Sequence, residues 1–285
     1  LLDPSTINDE RRMTSFNLDA YLRRIGYHGE RAATLRTLRE IHRLHPQSIP
    51  FENLDPLLRR PVPLDAESLQ QKLVRGGRGG WCFEQNHVLR AALDALGFRT
   101  TGLAARVRWN VPEGLVTARG HMLLLVEAEG ERYVADVGFG GLTLTAPLRL
   151  IADVEQPTPH ETFRLAADGD RAFVMQARIG GEWKPLYRFD LQEQHLPDYE
   201  VSSWYLSTHP RSHFLAGLIA ARVEPDRRYA LHNASLAVHH LGGGTERTVL
   251  GSAAELRGVL GDTFGIALPD GAEVEAALER LTAAA

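Results

Sequence analysis

The hydrophobic period of this chain switches from helical to strand-like near residue 98, and that change limits the folds open to it. Before it, apolar residues recur at helical spacing: Leu18, Tyr21 and Ile25 in one stripe, Leu35, Leu38 and Ile41 in a second. Phe83, Val88, Leu89, Ala92, Leu93 and Leu96 form a third, with Gly97 as its stop signal. Gly26 and Gly29 separate the first two stripes, Pro46 is expected to close the second, and a short helix over 68–74 starts near Asp65 or Ser68. After residue 98, stretches 100–109, 121–127, 131–137, 161–166, 171–179 and 182–189 read as strands between Gly, Pro and Asp-Gly signals. Asp168-Gly169 suits a hairpin turn, and 156–160, with its prolines, reads as a surface connection. Beyond 202 the pattern mixes a short helix over 202–208, strands over 214–223, 228–231, 235–240 and 246–249, and closing helices over 253–260 and 272–281.

The expected class is α+β. A helical domain over 13–98 precedes a β-barrel-like domain over 99–200 and an α/β domain over 201–285, with residues 1–12 set aside as a polar tail or cloning remnant. With 285 residues, 44% of them hydrophobic and 24% charged, the chain has the profile of a soluble globular protein with ample core. A net charge of -4 and scattered basic residues argue against a nucleic-acid binder, although Arg75 and Arg78 could meet a phosphate locally. No apolar run approaches the roughly 20 residues that span a bilayer. The first residues lack the pattern of a signal peptide, so the expected compartment is the cytoplasm.

Cys82 is the only cysteine. It ends the run Arg-Gly-Gly-Arg-Gly-Gly-Trp-Cys (75–82) and starts the third helical stripe, which places a thiol at a helix N-terminus, where free N–H groups and the helix dipole favour the thiolate. A thiol nucleophile needs a base, and the base needs an orienting group. The chain has 12 histidines, so position must select among them. His121 opens the run Met122–Val126, and the following strand ends at Asp136. If the two strands turn at Glu129-Gly130, Ala128 faces Glu131 and Leu123 faces Asp136. His121 and Asp136 are then diagonal neighbours on one face, with Cα atoms about 7–8 Å apart. A slip of one residue would send Asp136 to the other face.

The segment Arg-Gly-Gly-Trp-Cys-Phe-Glu-Gln-Asn (78–86) strongly resembles the active-site signature of arylamine N-acetyltransferases. Ile49-Pro50-Phe51-Glu52-Asn53-Leu54, Gly120-His121-Met122-Leu123-Leu124 and Asp136-Val137-Gly138-Phe139-Gly140 resemble three further signatures of that family, in the same order. The resemblance implies a cysteine-protease-like Cys82, His121 and Asp136 core under a C-terminal lid. It implies ping-pong transfer of acetyl from acetyl-CoA to arylamines and arylhydrazines. It also implies a charge pair of Glu52 with Arg78 bracing the cysteine loop, and an acceptor pocket lined by Phe51, Phe139 and Phe214. Toward CoA it points to Thr117 and Gly120, although Ala118 stands where some members carry glycine; Arg119 would meet a phosphate or solvent.

Neighbouring chemistries are a transglutaminase-like hydrolase, another thiol acyltransferase, an amide synthase on the same scaffold, or a binding protein that kept the fold. The Cys-Gly-x-Cys-Trp pattern of papain-like proteases is absent, as is a GxxxxGK[ST] phosphate loop. A metal is not expected: Pro210 interrupts the His209/His213 spacing, His239-His240 offers no second pair, and one cysteine cannot build a thiolate zinc site.

Overall fold

The computed structural model describes residues 16–112 and 114–283, so the stretch read as a tail, 1–12, lies outside the described residues. Helices α1 (Leu18–Ile25) and α2 (Leu35–Ser48) are capped by Asn17 and Thr34, whose side chains accept the N–H groups of Ala20 and Thr37. A two-residue strand β1 (Phe51–Glu52) and a single turn α3 (Leu54–Leu57) follow. The turn α4 (Ala66–Leu69) is capped by Asp65 and widens into a π turn over Gln70–Arg75. Helix α5 (Cys82–Ala95) then ends with Gly97 at φ +87°, where the Phe98 N–H reaches back to Leu93 O.

Strands β2 (Arg99–Val107), β3 (His121–Ala128), β4 (Glu131–Ala135), β5 (Leu148–Arg149), β6 (Gln156–Pro157), β7 (Thr162–Asp168), β8 (Ala172–Ile179) and β9 (Glu182–Asp190) form one antiparallel sheet in the order β5-β4-β3-β2-β9-β8-β7-β6. A bridge between Ala152 and Leu165 ties the segment after β5 to β7, so the sheet curls nearly closed. Helix α6 (Leu196–Thr208) leads to a second sheet made of β10 (Ile219–Glu224), β11 (Arg227–His232), β12 (Ser235–His240) and β13 (Thr245–Val249), with β1 on its edge against β10. Helices α7 (Ala253–Gly258) and α8 (Ala272–Ala283) close the chain. The class is α+β, and no helix among the described residues is long and apolar enough to cross a membrane.

The period-2 rule explains how the cores share β3. Met122, Leu124, Val126 and Ala128 pack with α1, α2 and α5, whereas Leu123 and Leu125 point into the curled sheet with Leu103, Phe163, Met175 and Leu186. A third core forms under the second sheet, and Leu54 and Leu57 belong to it. The segment Phe51–Leu57 therefore packs with elements found more than 150 residues later.

Several boundaries differ from the sequence reading. Pro46 lies inside α2, which runs on to Ser48, because a proline near a helix end costs one hydrogen bond and the Ile49 N–H still closes on His45 O at 2.8 Å. Helix α6 begins at Leu196, with Pro197 in its first turn, where a missing N–H is harmless. Strand β10 starts at Ile219, not Phe214, since Asn53 Nδ2 donates to the carbonyls of Phe214 and Gly217 (2.8 Å each) and holds that stretch in a turn. Residues 156–157 of the surface connection pair with β7 as an edge strand.

Candidate active site

Cys82 is the first residue of α5 and is buried, with Sγ 3.7 Å from the Gly120 carbonyl. The glycines before it are packed, not slack. A Cβ on Gly79 would lie 2.1 Å from Pro50 O, and one on Gly80 would lie 2.6 Å from Glu84 Oε2. Across the site, a Cβ on Gly138 would come within 2.7 Å of Cys82 Cα. Glycine is required wherever backbone must approach this closely.

The β3–β4 register pairs Ala128 with Glu131 and Leu124 with Ala135, so Leu123 faces Asp136 one step further on. Parity then puts His121 and Asp136 on the face turned into the curled sheet. His121 Nε2 lies 2.7 Å from Asp136 Oδ2, both side chains being almost fully buried. The carboxylate's other oxygen accepts Asn86 Nδ2 at 3.0 Å and the Gly138 N–H at 2.9 Å. Burial alone would push His121 down, but the Asp136 charge and hydrogen bond, with a smaller contribution from Cys82, hold it well above the ordinary imidazole range. Burial likewise favours protonation of Asp136, yet His121, Asn86 and Gly138 together hold it below the ordinary carboxylate range.

Other residues complete the surroundings. Asn86 also donates to Met122 O at 2.8 Å and accepts the Val137 N–H at 3.1 Å, which ties α5 to β3 and to the segment just after β4. His42 accepts the Asp136 N–H on Nε2 at 3.1 Å, and burial pushes this ring down to about 4, so it stays neutral. Tyr187 packs against His121 and Phe139, with ring centroids 4.8 and 5.0 Å away, and burial and the Asp136 charge raise its phenol well above the ordinary range. Gln85 donates to Ile49 O, Pro50 O and Gly80 O, and His45, itself joined to Tyr21, holds its Oε1 at 2.6 Å. Of these, Asn86 carried a readable signal, since it sits one helical turn from Cys82. The others were hidden, because their partners are backbone groups or distant strands.

The structure brings Phe139 against the His121 ring at 5.1 Å and places Phe51 beside Gly140, where a Cβ would lie 3.6 Å from its ring. Phe214 packs edge-on against Trp81 at 5.1 Å. Arg78 Nε donates to Glu52 Oε1 at 2.8 Å, and the guanidinium also reaches Asp55. Arg78 is thereby committed to ion pairs and offers no free phosphate contact, and Arg75 faces Glu67. The Thr117 hydroxyl donates to Val107 O at 2.9 Å, fastening its own loop. Arg119, about a third exposed to solvent, pairs with Asp190 at 2.8 Å. Among the described residues no cluster of three or more His, Cys, Asp or Glu side chains could hold a metal.

A buried thiol at a helix start, beside an imidazole fixed by a carboxylate on a curled sheet, defines a scaffold for thiol-dependent acyl chemistry. A family model described as N-acetyltransferase matches residues 34–273. An arylamine N-acetyltransferase of Mycolicibacterium smegmatis is 46% identical over 268 residues, covering 92% of this chain and 97% of the relative. The solved Mycobacterium marinum arylamine N-acetyltransferase superposes with a TM-score of 0.90 at 42% identity, covering 93% of this chain and all of that one. The same enzyme solved in complex with CoA gives 0.89 at 43% identity, covering 93% and 99%. The chain belongs to the arylamine N-acetyltransferase family, and it is an acyltransferase.

Proposed function

We propose that this enzyme transfers acetyl from acetyl-CoA to the nitrogen of arylamines and arylhydrazines by a ping-pong route through acetyl-Cys82. The observation that carries the reading is the 2.7 Å contact of His121 Nε2 with Asp136 Oδ2 behind Cys82, in a family whose M. marinum member was solved with CoA. With Nε2 taken by Asp136, Nδ1 is the nitrogen left to serve the thiol.

In the first half-reaction Cys82 Sγ attacks the thioester carbonyl, and unpaired N–H groups of the first turn of α5 stabilise the oxyanion. The carbon–sulfur bond to CoA breaks, and the departing thiolate takes the His121 proton. In the second, the amine attacks the acetyl-Cys82 carbonyl, His121 accepts the amine proton, and Cys82 leaves as the thiolate. Asp136 orients the ring and stabilises its charged form throughout. Phe51, Phe139 and Phe214 line the acceptor pocket, Glu52 and Arg78 brace the cysteine loop, and Thr117 and Gly120 border the approach of CoA. In this reading residues 13–98 carry the thiol, 99–200 carry its base and orienting group, and 201–285 form the lid.

Initial rates over a matrix of acetyl-CoA and arylamine concentrations test the route. Parallel double-reciprocal lines are expected; intersecting lines would mean that both substrates must be bound together and would exclude a free acetyl-enzyme.

A further inference from the structure

The glycine run ahead of Cys82 rests on five charged side chains, more than a Glu52–Arg78 pair needs. Lys72 Nζ lies 2.5 Å from Asp55 Oδ2 and 2.7 Å from Glu84 Oε1, while Arg78 serves Glu52 and Asp55. Three carboxylates thus share two cations, and none of the five side chains is more than 16% exposed. Each comes from a different segment: Glu52 from β1, Asp55 from α3, Lys72 from the π turn, Arg78 from the glycine run and Glu84 from α5. π turns are rare and concentrate at functional sites. The carbonyl of Lys72 also accepts the Arg78 N–H at 3.2 Å, so this turn is fastened to the glycine run.

Glu84 is the member of the cluster that touches the nucleophile's end of the helix. Its Oε2 accepts the N–H of Trp81, the residue before Cys82, at 3.1 Å, and its Oε1 takes Lys72. We propose that Lys72 and Glu84 are a positioning pair: Lys72 favours the ionised form of Glu84, and the ionised carboxylate fixes Trp81 and so the seat of Cys82 against Gly120 and His121. The inference rests on the reading of Cys82 as the nucleophile, and on nothing about donor or acceptor.

Burial raises Glu84, the charge and hydrogen bond of Lys72 oppose the rise, and the Glu52 and Asp55 carboxylates add to it, leaving the group at about 7. Arg78 faces the same cluster through Glu52 and Asp55. Burial disfavours the charged form of Lys72, but Glu84, Glu52 and Asp55 outweigh this and keep it protonated. As pH falls through about 7, Glu84 takes a proton, its ion pair is lost, and the Trp81 N–H faces a neutral acceptor in place of a charged one. Without Lys72 that midpoint moves up.

The test is the rate of Cys82 alkylation by iodoacetamide against pH, which needs neither acetyl-CoA nor an arylamine and so stands or falls apart from the acetyl-transfer reading. The parent should show an inflection near pH 7. Lys72→Met should move it up by about one unit or more, which cuts the ionised fraction, and the rate at pH 7, about fivefold. Lys72→Arg should restore the parent profile, and Glu84→Gln, which keeps an acceptor oxygen but cannot ionise, should lose the inflection. If Lys72→Met does not fold, the Lys72→Met/Glu84→Gln double variant, with no unpaired charge, should fold and follow Glu84→Gln. Parent-like profiles in Glu84→Gln and in Lys72→Met or the double variant would overturn the proposal. So would a Glu84→Gln chain that cannot fold, since the pair would then serve stability and not positioning.

Discussion

Asp136 uses its two oxygens differently. Oδ2 holds His121, while Oδ1 is pinned by Asn86 and the Gly138 N–H, so the carboxylate cannot turn away from the ring. In Asp136→Asn the amide would either present N–H to the ring nitrogen or surrender the contacts of Oδ1. By analogy with the serine triad, we expect kcat to fall by about 10³–10⁴-fold with the fold kept. Steady-state kinetics beside a thermal melt check this; a variant as active as the parent would remove Asp136 from the mechanism. The His121–Asp136 approach was legible because a turn at Glu129-Gly130 dictates the diagonal. His42 was not, because what it binds is the backbone N–H of Asp136, and a backbone partner leaves no mark in a sequence.

At the scale of elements, the β3–β4 hairpin sets that diagonal. Glu129 and Gly130 both have positive φ, +52° and +80°, the arrangement of a type I′ turn whose twist matches the strands. Gly130→Val places a β-branched residue in the left-handed region and should lower stability by about 1–2 kcal/mol. The turn lies about 24 Å along the strand from His121, so kcat well below the melting point should be unchanged. Denaturant unfolding and kinetics on one preparation would show it; a fall in kcat with no loss of stability would contradict this account of the register. Helices and strands with clear periods were readable, as were their glycine stops. The π turn over Gln70–Arg75 was not, because helical periodicity does not distinguish a widened turn from a regular one. Nor was the joining of Phe51–Leu57 to the second sheet, which depends on contacts remote in sequence.

Across the whole molecule, stability should respond steeply to acid. Burial pushes His42 down to about 4 and His45 and His87 to about 3, so each is neutral when folded and takes up a proton on unfolding below its ordinary value. Such depressed histidines contribute stability at neutral pH that is lost as pH falls below about 6.5. Glu84, raised to about 7, acts in the opposite sense between its ordinary value and 7. His121 is raised, so its contribution is complete below its unfolded value and does not alter the slope there. For these four groups alone, three protons against one leave a net uptake of two, or about 3 kcal/mol per pH unit between roughly pH 6 and 4.5. Burial also depresses His160, His213 and His239, which act in the same sense, and raises Asp94, which acts against it. Urea unfolding across that range measures the slope directly, and a flat profile would mean that these histidines are not buried neutral.

The central claim is that Cys82 carries the acetyl group, and intact-mass spectrometry tests it most directly. The protein is mixed with acetyl-CoA in the absence of any acceptor, beside a Cys82→Ser control. The account predicts a parent chain heavier by one acetyl group, with the modification on Cys82 and lost when an arylamine is added, and an unmodified control. A parent chain that stays unmodified, or a control that is acetylated equally, would contradict it.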